Sequence, residues 1–186
     1  MTTVFIAGSM NIRHLDPKVK ERINRIVESD FDVVVGDADG VDTSIQSYLL
    51  ERGVRHATVF CSGPIPRNNV GTWCVRSIEA SYTTGTRAFF TVKDIEMARV
   101  ADYGLMIWDA KSTGTLNNVL ELLKQKKKSV VFVNKEKIFI NVGDVAQLEK
   151  LIQYMSPHAR TKADEKIKLF SKVEALRHEQ SQLFAH

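Results

Sequence analysis

Apolar positions along the chain fall into short runs separated by stretches of helical spacing. Val4 to Ala7 is an apolar run stopped by Gly8-Ser9-Met10-Asn11, the pattern of a buried strand that ends in a loop. Asp16-Pro17 then reads as an N-cap with proline at the first helical position, and Val19, Ile23, Ile26 and Val27 recur at helical spacing. The rhythm repeats. Phe31 to Val35 predicts a second strand, halted at Gly36-Asp37-Ala38-Asp39-Gly40. Val41, Ile45, Tyr48, Leu49 and Leu50 outline a second helix closed by Gly53, and Ala57 to Cys61 predicts a third strand.

Between Ser62 and Phe90 the pattern weakens, punctuated by Gly63, Pro64, Pro66, Gly71 and Gly85, which predicts a long loop with one helix around Trp73 to Ala80. Regularity returns with a helix near Val92 to Val100, a strand over Tyr103 to Trp108, a helix from about Thr115 to Lys127 and a strand over Val130 to Val133. Strands alternating with helices imply an α/β fold, a Rossmann-like doubly wound, mainly parallel sheet with helices on both faces. That core is expected over residues 1–134, with an insertion at about 70–90. Residues 135–186 form an extension. There Lys137 to Val142 alternates like a small edge strand, and Asp144 to Met155 reads as a helix broken by Pro157. From residue 160 a single amphipathic helix is expected, with Ile167, Phe170, Val173 and Leu176 as a stripe that packs on the core or on a second copy in a homo-oligomer.

Composition narrows the classes. The 186 residues are 44% hydrophobic and 26% charged, the balance of a folded globular chain of one domain. Lys and Arg number 26 against 22 Asp and Glu, a net charge of +4, too small a surplus for a protein that lives by neutralising many phosphates of a nucleic acid. The two cysteines, Cys61 and Cys74, form no CxxC pair, and no histidine has metal-ligand spacing, so neither a disulfide framework nor a metal site is expected. With no apolar run near membrane-spanning length and no basic start ahead of an apolar segment, a cytoplasmic protein without membrane contact is expected.

In open α/β sheets the ligand crevice lies outside the carboxyl ends of the strands, which directs attention to four loops. They are Gly8 to Arg13, Gly36 to Asp42, Ser62 to Asn69, and Asp109 to Thr115. In the last, Ser112-Thr113-Gly114-Thr115 follows a strand and opens a helix, so free amides, hydroxyls and a positive helix end coincide where a phosphate could bind; Lys111 adds a charge. The alternative is that Ser112 only caps the helix. Gly8 and Ser9 give a weaker form of the same signal without the full GxGxxG spacing, and GxxxxGK is absent. Asp37, Asp39 and Asp42 suit ribose hydroxyls rather than phosphate, unless Asp39 and Asp42 serve as a helix cap. Arg67 and Asn68 offer a guanidinium for phosphate and an amide for base or sugar, and Met10, Asn11 or Trp108 could meet the base.

The succession Ala7-Gly8-Ser9, Gly36-Asp37-Ala38-Asp39-Gly40-Val41-Asp42, Gly63-Pro64 with Arg67-Asn68, Lys93-Asp94 through Ala101-Asp102, and Trp108 to Thr115 resembles the SLOG superfamily, most of all its small YspA/YpsA-like proteins, over about residues 3–134. The resemblance implies a Rossmann-like fold that binds a nucleotide or nucleotide-derived ligand, with Gly8, Ser9, Met10, Gly36, Asp37, Asp39, Asp42, Arg67, Asn68, Trp108, Lys111, Ser112, Gly114 and Thr115 at the pocket and no cofactor. Its phosphoribohydrolase branch carries PGGxGTxxE; here Gly114-Thr115 is kept but Asn118 stands where that branch has its glutamate, and an amide is neither acid nor base. Ala110 follows Trp108-Asp109 where the family often has glycine. The expectation is therefore a binding or sensing protein. An alternative is an N-glycosidic hydrolase of nucleoside monophosphates with Asp37 or Asp39 catalytic. A second alternative is single-stranded nucleic-acid binding through Arg67, Arg76, Arg87 and the basic tail, which lacks the interleaved aromatics that base stacking requires.

Overall fold

The computed structural model describes residues 1–185. Its elements are β1 (Thr3–Gly8), α1 (Pro17–Glu28), β2 (Asp32–Gly36), α2 (Val41–Glu51), β3 (Ala57–Ser62), β4 (Cys74–Ile78), α3 (Arg87–Val100), β5 (Tyr103–Trp108), α4 (Thr113–Lys124), β6 (Lys128–Val133), β7 (Ile138–Val142), α5 (Val145–Ile152), α6 (Pro157–Ile167) and α7 (Leu169–Phe184). All strands join one sheet in the order β4-β3-β2-β1-β5-β6-β7. Every neighbouring pair is parallel except β6 and β7. This is the α/β, Rossmann-like doubly wound arrangement, and the strand order reverses direction between β1 and β5.

Alternation along the strands builds two hydrophobic layers, because successive side chains of a strand point to opposite faces. Val4, Ile6, Val33, Val35, Leu105 and Ile107 face a layer completed by Val19 and Ile23 of α1 and Ile45 and Leu49 of α2. Phe5, Ala7, Val34, Phe60, Met106 and Trp108 face the opposite layer with Met97 of α3 and Leu116 of α4. Strands apolar on both faces are what a fully covered parallel sheet requires. The α1 start follows its sequence signal, since Asp16 accepts a hydrogen bond from the Lys18 amide at 2.9 Å with Pro17 in the first turn.

Three expectations are corrected. Trp73 to Ala80 is not helical; Cys74–Ile78 is the edge strand β4, in parallel register with β3 from Thr58↔Cys74 to Ser62↔Ile78. The open backbone edge of β3 supplies its partners, and Trp73 is pinned beforehand by both Asn69 side-chain atoms and by its indole N–H donating to the Val54 carbonyl at 2.8 Å. α3 starts earlier than Val92, at Arg87, capped by the Thr86 hydroxyl; the buried Lys93 interrupts the apolar spacing that would have marked the helix. Finally, the tail is two helices rather than one. Lys168 adopts the left-handed conformation (φ 55°) and ends α6, and Pro157 opens that helix behind the Ser156 cap rather than breaking α5, which has already ended at Ile152, short of the expected Met155. The extension is not peripheral to packing: β7 pairs with β6, and residues 142–173 contribute ten of the 26 buried residues in the α3/α4 layer. No helix among the described residues is long and apolar enough to cross a membrane.

Candidate functional site

A cavity of about 780 Å³ opens at the β1/β5 reversal, bounded by the loops after those strands, the start of α4, the N-terminal half of α3 and one face of α6. That volume lies in the range of pockets for small organic ligands, on the order of 300–1,000 Å³. Gly40 (φ 80°) lets the second loop come against the first: a Cβ there would lie 2.1 Å from the Met10 carbonyl oxygen. Ser9 is fully buried and ties the first loop to the fourth, its hydroxyl accepting from the Asp109 amide at 3.1 Å and meeting the Thr115 hydroxyl at 3.4 Å.

The fourth loop is built by Asp109, whose carboxylate accepts from the amides of Lys111 (2.9 Å) and Ser112 (2.7 Å). This turns the chain into α4, where Ser112 caps the helix and accepts from the Thr115 amide at 3.4 Å. The cap reading of Ser112 is therefore present, and it coexists with an open helix end. Among the described residues no protein acceptor meets the amides of Thr113 and Gly114, and a Cβ at Gly114 would touch nothing within 4 Å. Thr113, Thr115 and Asn118 are each at least nine-tenths buried yet border the cavity.

At the inner end sits a charged cluster. Asp42 is 5% exposed, and Gly36 makes room for it: a Cβ on Gly36 would fall 2.4 Å from the Asp42 Oδ2. Its carboxyl receives the Ala38 amide at 3.2 Å. Burial pushes Asp42 up to about 7 against the pull of Lys93, with Asp94 and Asp37 adding repulsion. Lys93 is buried and pairs with Asp94 at 2.7 Å. Burial alone would lower Lys93, but the charges of Asp94 and Asp42 hold it above its ordinary value. Neither Asp39 nor Asp42 caps α2, whose N-cap is Gly40.

Asp37 is also buried, but it is engaged. Its two carboxylate oxygens take the Arg67 amide (2.9 Å), Nε (3.2 Å) and Nη2 (2.8 Å). Burial would raise Asp37; those hydrogen bonds and the nearby Lys93 charge overcome it and hold the group below the usual carboxylate range. The far face of the Arg67 guanidinium lies 4.2 Å from the Phe90 ring centre.

The sequence-derived candidates thus divide. Gly8, Met10, Asp42, Arg67, Lys111, Ser112, Gly114 and Thr115 meet at the cavity. Ser9, Gly36, Asp37, Asp39, Asn68 and Trp108 do not line it. Ser9 and Gly36 shape the walls, as described. Asn68 is spent on the Asp37 carbonyl (2.8 Å) and the exposed Asp39 carboxylate (3.0 Å). Trp108 is a core residue, fully buried, with its indole N–H donating to the Ser112 carbonyl at 3.1 Å; it cannot stack on a base. Sequence reasoning quoted Lys93 among the motifs of the resemblance but did not place it at the pocket, although its charge at a helical core position was the available signal, and it missed Lys162 and Lys166 on α6, whose i, i+4 spacing resembles that of any solvated helix. Among the described residues no group of three or more His, Cys, Asp or Glu is arranged to hold a metal ion. No protein-family model and no curated protein matches the chain.

Proposed function

We propose that this chain binds a nucleotide or nucleotide-derived ligand at the β1/β5 crevice, as a binding or sensing protein of the SLOG kind. One observation carries the reading: the start of α4 presents unpaired Thr113 and Gly114 amides to a cavity of nucleotide size, with nothing in the space where a Gly114 side chain would stand. A helix N-terminus open in this way favours an anion through both its amides and its dipole. Phosphate is therefore placed at α4, and the sugar or base toward Asp42, Met10 and Asn11 on the opposite wall.

The hydrolase alternative loses its named carboxylates, since Asp37 is saturated by Arg67 and Asp39 lies outside the cavity. The nucleic-acid alternative is weakened too: Arg76 is paired with Glu96, and Arg67 and Arg87 face a cavity rather than a continuous groove.

A thermal-shift panel of nucleoside mono- and diphosphates tests the reading. A ligand at a hundred times its Kd stabilises the fold by about 2.7 kcal/mol, which in a chain of this size raises Tm by about 5–10 °C. Gly114→Asp meets no steric obstacle in the protein yet sets a carboxylate against the phosphate, so the variant should fold and lose the shift. Absence of any shift across the panel in the unmodified chain refutes the proposal.

A further inference from the structure

We infer that the ligand of this cavity carries two linked phosphoryl groups, one held at the start of α4 and the second between α4 and the lysines of α6; this rests on the nucleotide reading above and narrows it to nucleoside diphosphates and their esters. The inference begins with polar groups that have no protein partner. Besides the Thr113 and Gly114 amides, the Thr113 hydroxyl and the Asn118 carboxamide, both on residues at least nine-tenths buried, border the cavity without a hydrogen-bond partner among the described residues. Their polar atoms open on the cavity and are free to meet whatever occupies it. Asn118 lies one turn beyond Gly114 on the same helix face, so the amides, the hydroxyl and the carboxamide form one compact set of donors. That set matches the oxygens of a single phosphoryl group.

The charge around the cavity is too large for one. Six cationic side chains, Arg67, Arg87, Lys93, Lys111, Lys162 and Lys166, line it against three carboxylates, Asp42, Asp94 and Asp109. Arg67 and Lys93 are held in ion pairs, but Arg87, Lys111, Lys162 and Lys166 meet no carboxylate at ion-pair distance among the described residues. With Arg67 neutralised by Asp37 and Lys93 by Asp94, those four cations face only Asp109 and a half-ionised Asp42, an excess of about 2–3 charges, and a monophosphate, with about 1.5–2 negative charges at neutral pH, falls short of it. A second phosphoryl group closes the difference. Lys162 and Lys166, four residues apart on one face of α6, line the same cavity as the start of α4, without a carboxylate partner, and are the groups able to take it. The specificity therefore resides in the C-terminal extension, and the strand-end loops alone would not distinguish one phosphate from two.

Calorimetric titration of the full chain with paired 5′-mono- and diphosphates of the four common ribonucleosides, and with inorganic pyrophosphate, at constant ionic strength, tests this. The expected result is a preference of about tenfold or more for the diphosphate over its monophosphate, and its collapse in Lys162→Ala/Lys166→Ala, whose side chains are exposed and whose loss leaves the core intact. Asn118→Leu should weaken both ligands alike. Equal affinity for mono- and diphosphate, or an equal loss of both in the double lysine variant, overturns the inference while leaving nucleotide binding in place. Pyrophosphate bound with no nucleotide bound supports the two-phosphoryl subsite and refutes the nucleotide reading; no binding of any of these probes refutes both.

Discussion

Asp42 illustrates how one buried carboxyl couples the site to stability. Its value near 7 in the folded chain, against an ordinary 3.8, means that between those two pH values the folded state holds a proton the unfolded state has lost. Stability must therefore fall as pH rises through that window and level off above it. Asp37 works in the opposite sense, because its depressed value makes the Arg67 pair a source of stability that is lost on acidification. The two contributions separate in a variant. Asp42→Asn keeps the side-chain shape and removes the ionisation, so its Tm relative to the unmodified chain should climb from about pH 4 to about pH 7 and then hold constant. A difference that stays flat across that range would mean Asp42 is ionised throughout, paired in effect with Lys93. From sequence, Asp42 was readable as a member of an acidic loop but not as one of its two buried members. Which of Asp37, Asp39 and Asp42 turns inward depends on Gly36 leaving space for one carboxylate and on Arg67, 30 residues away, claiming another.

The connection between β5 and α4 was the most readable of the elements, and for local reasons: the Asp109 turn, the Ser112 cap and the open helix end all depend on residues within six positions of one another. Its one irregular feature is Ala110, which sits at φ 61°, a left-handed conformation that costs a residue with a Cβ. Ala110→Gly should stabilise the chain by about 0.5–1 kcal/mol, net of the greater freedom of glycine in the unfolded state, a rise in Tm of about 1–4 °C. A lower Tm would show that the turn is held by Ala110 contacts instead. The edge strand β4 stands at the other extreme. Its residues are largely exposed and carry no apolar alternation, so nothing in Cys74–Ile78 declares a strand; β3 and the Asn69 and Val54 contacts to Trp73 impose it from outside. A pattern of side chains cannot report a backbone edge that lies 16 residues earlier in the chain.

Taken whole, the chain makes its C-terminal 50 or so residues part of both core and cavity, which periodicity alone could not reveal. Sequence reasoning recovers the doubly wound sheet because β1, β2, β3, β5 and β6 and the helices between them announce themselves locally, β4 being the exception. It does not recover where the extension returns, since the stripe on Ile167 and Val173 would pack equally well on this core or on a second copy. The modest net charge of +4 is likewise no guide to distribution, because six cations converge on one cavity. A chain ended after residue 134 tests the integration. It would keep β1 to β6 but strip the antiparallel partner from β6 and remove Val142, Val145, Leu148, Leu151, Met155, Ile167, Leu169 and Val173 from the layer over α3 and α4. Burial of such side chains is worth about 1.5–3 kcal/mol each, so the eight together, before the entropy of ordering the extension is set against them, are as large as the roughly 5–15 kcal/mol by which a domain of this kind is stable. The shortened chain should therefore aggregate or show no cooperative melt by circular dichroism. A cooperative transition within a few degrees of the full chain would instead mean that residues 1–134 fold alone and that the extension, α6 lysines included, is an addition to a site already complete.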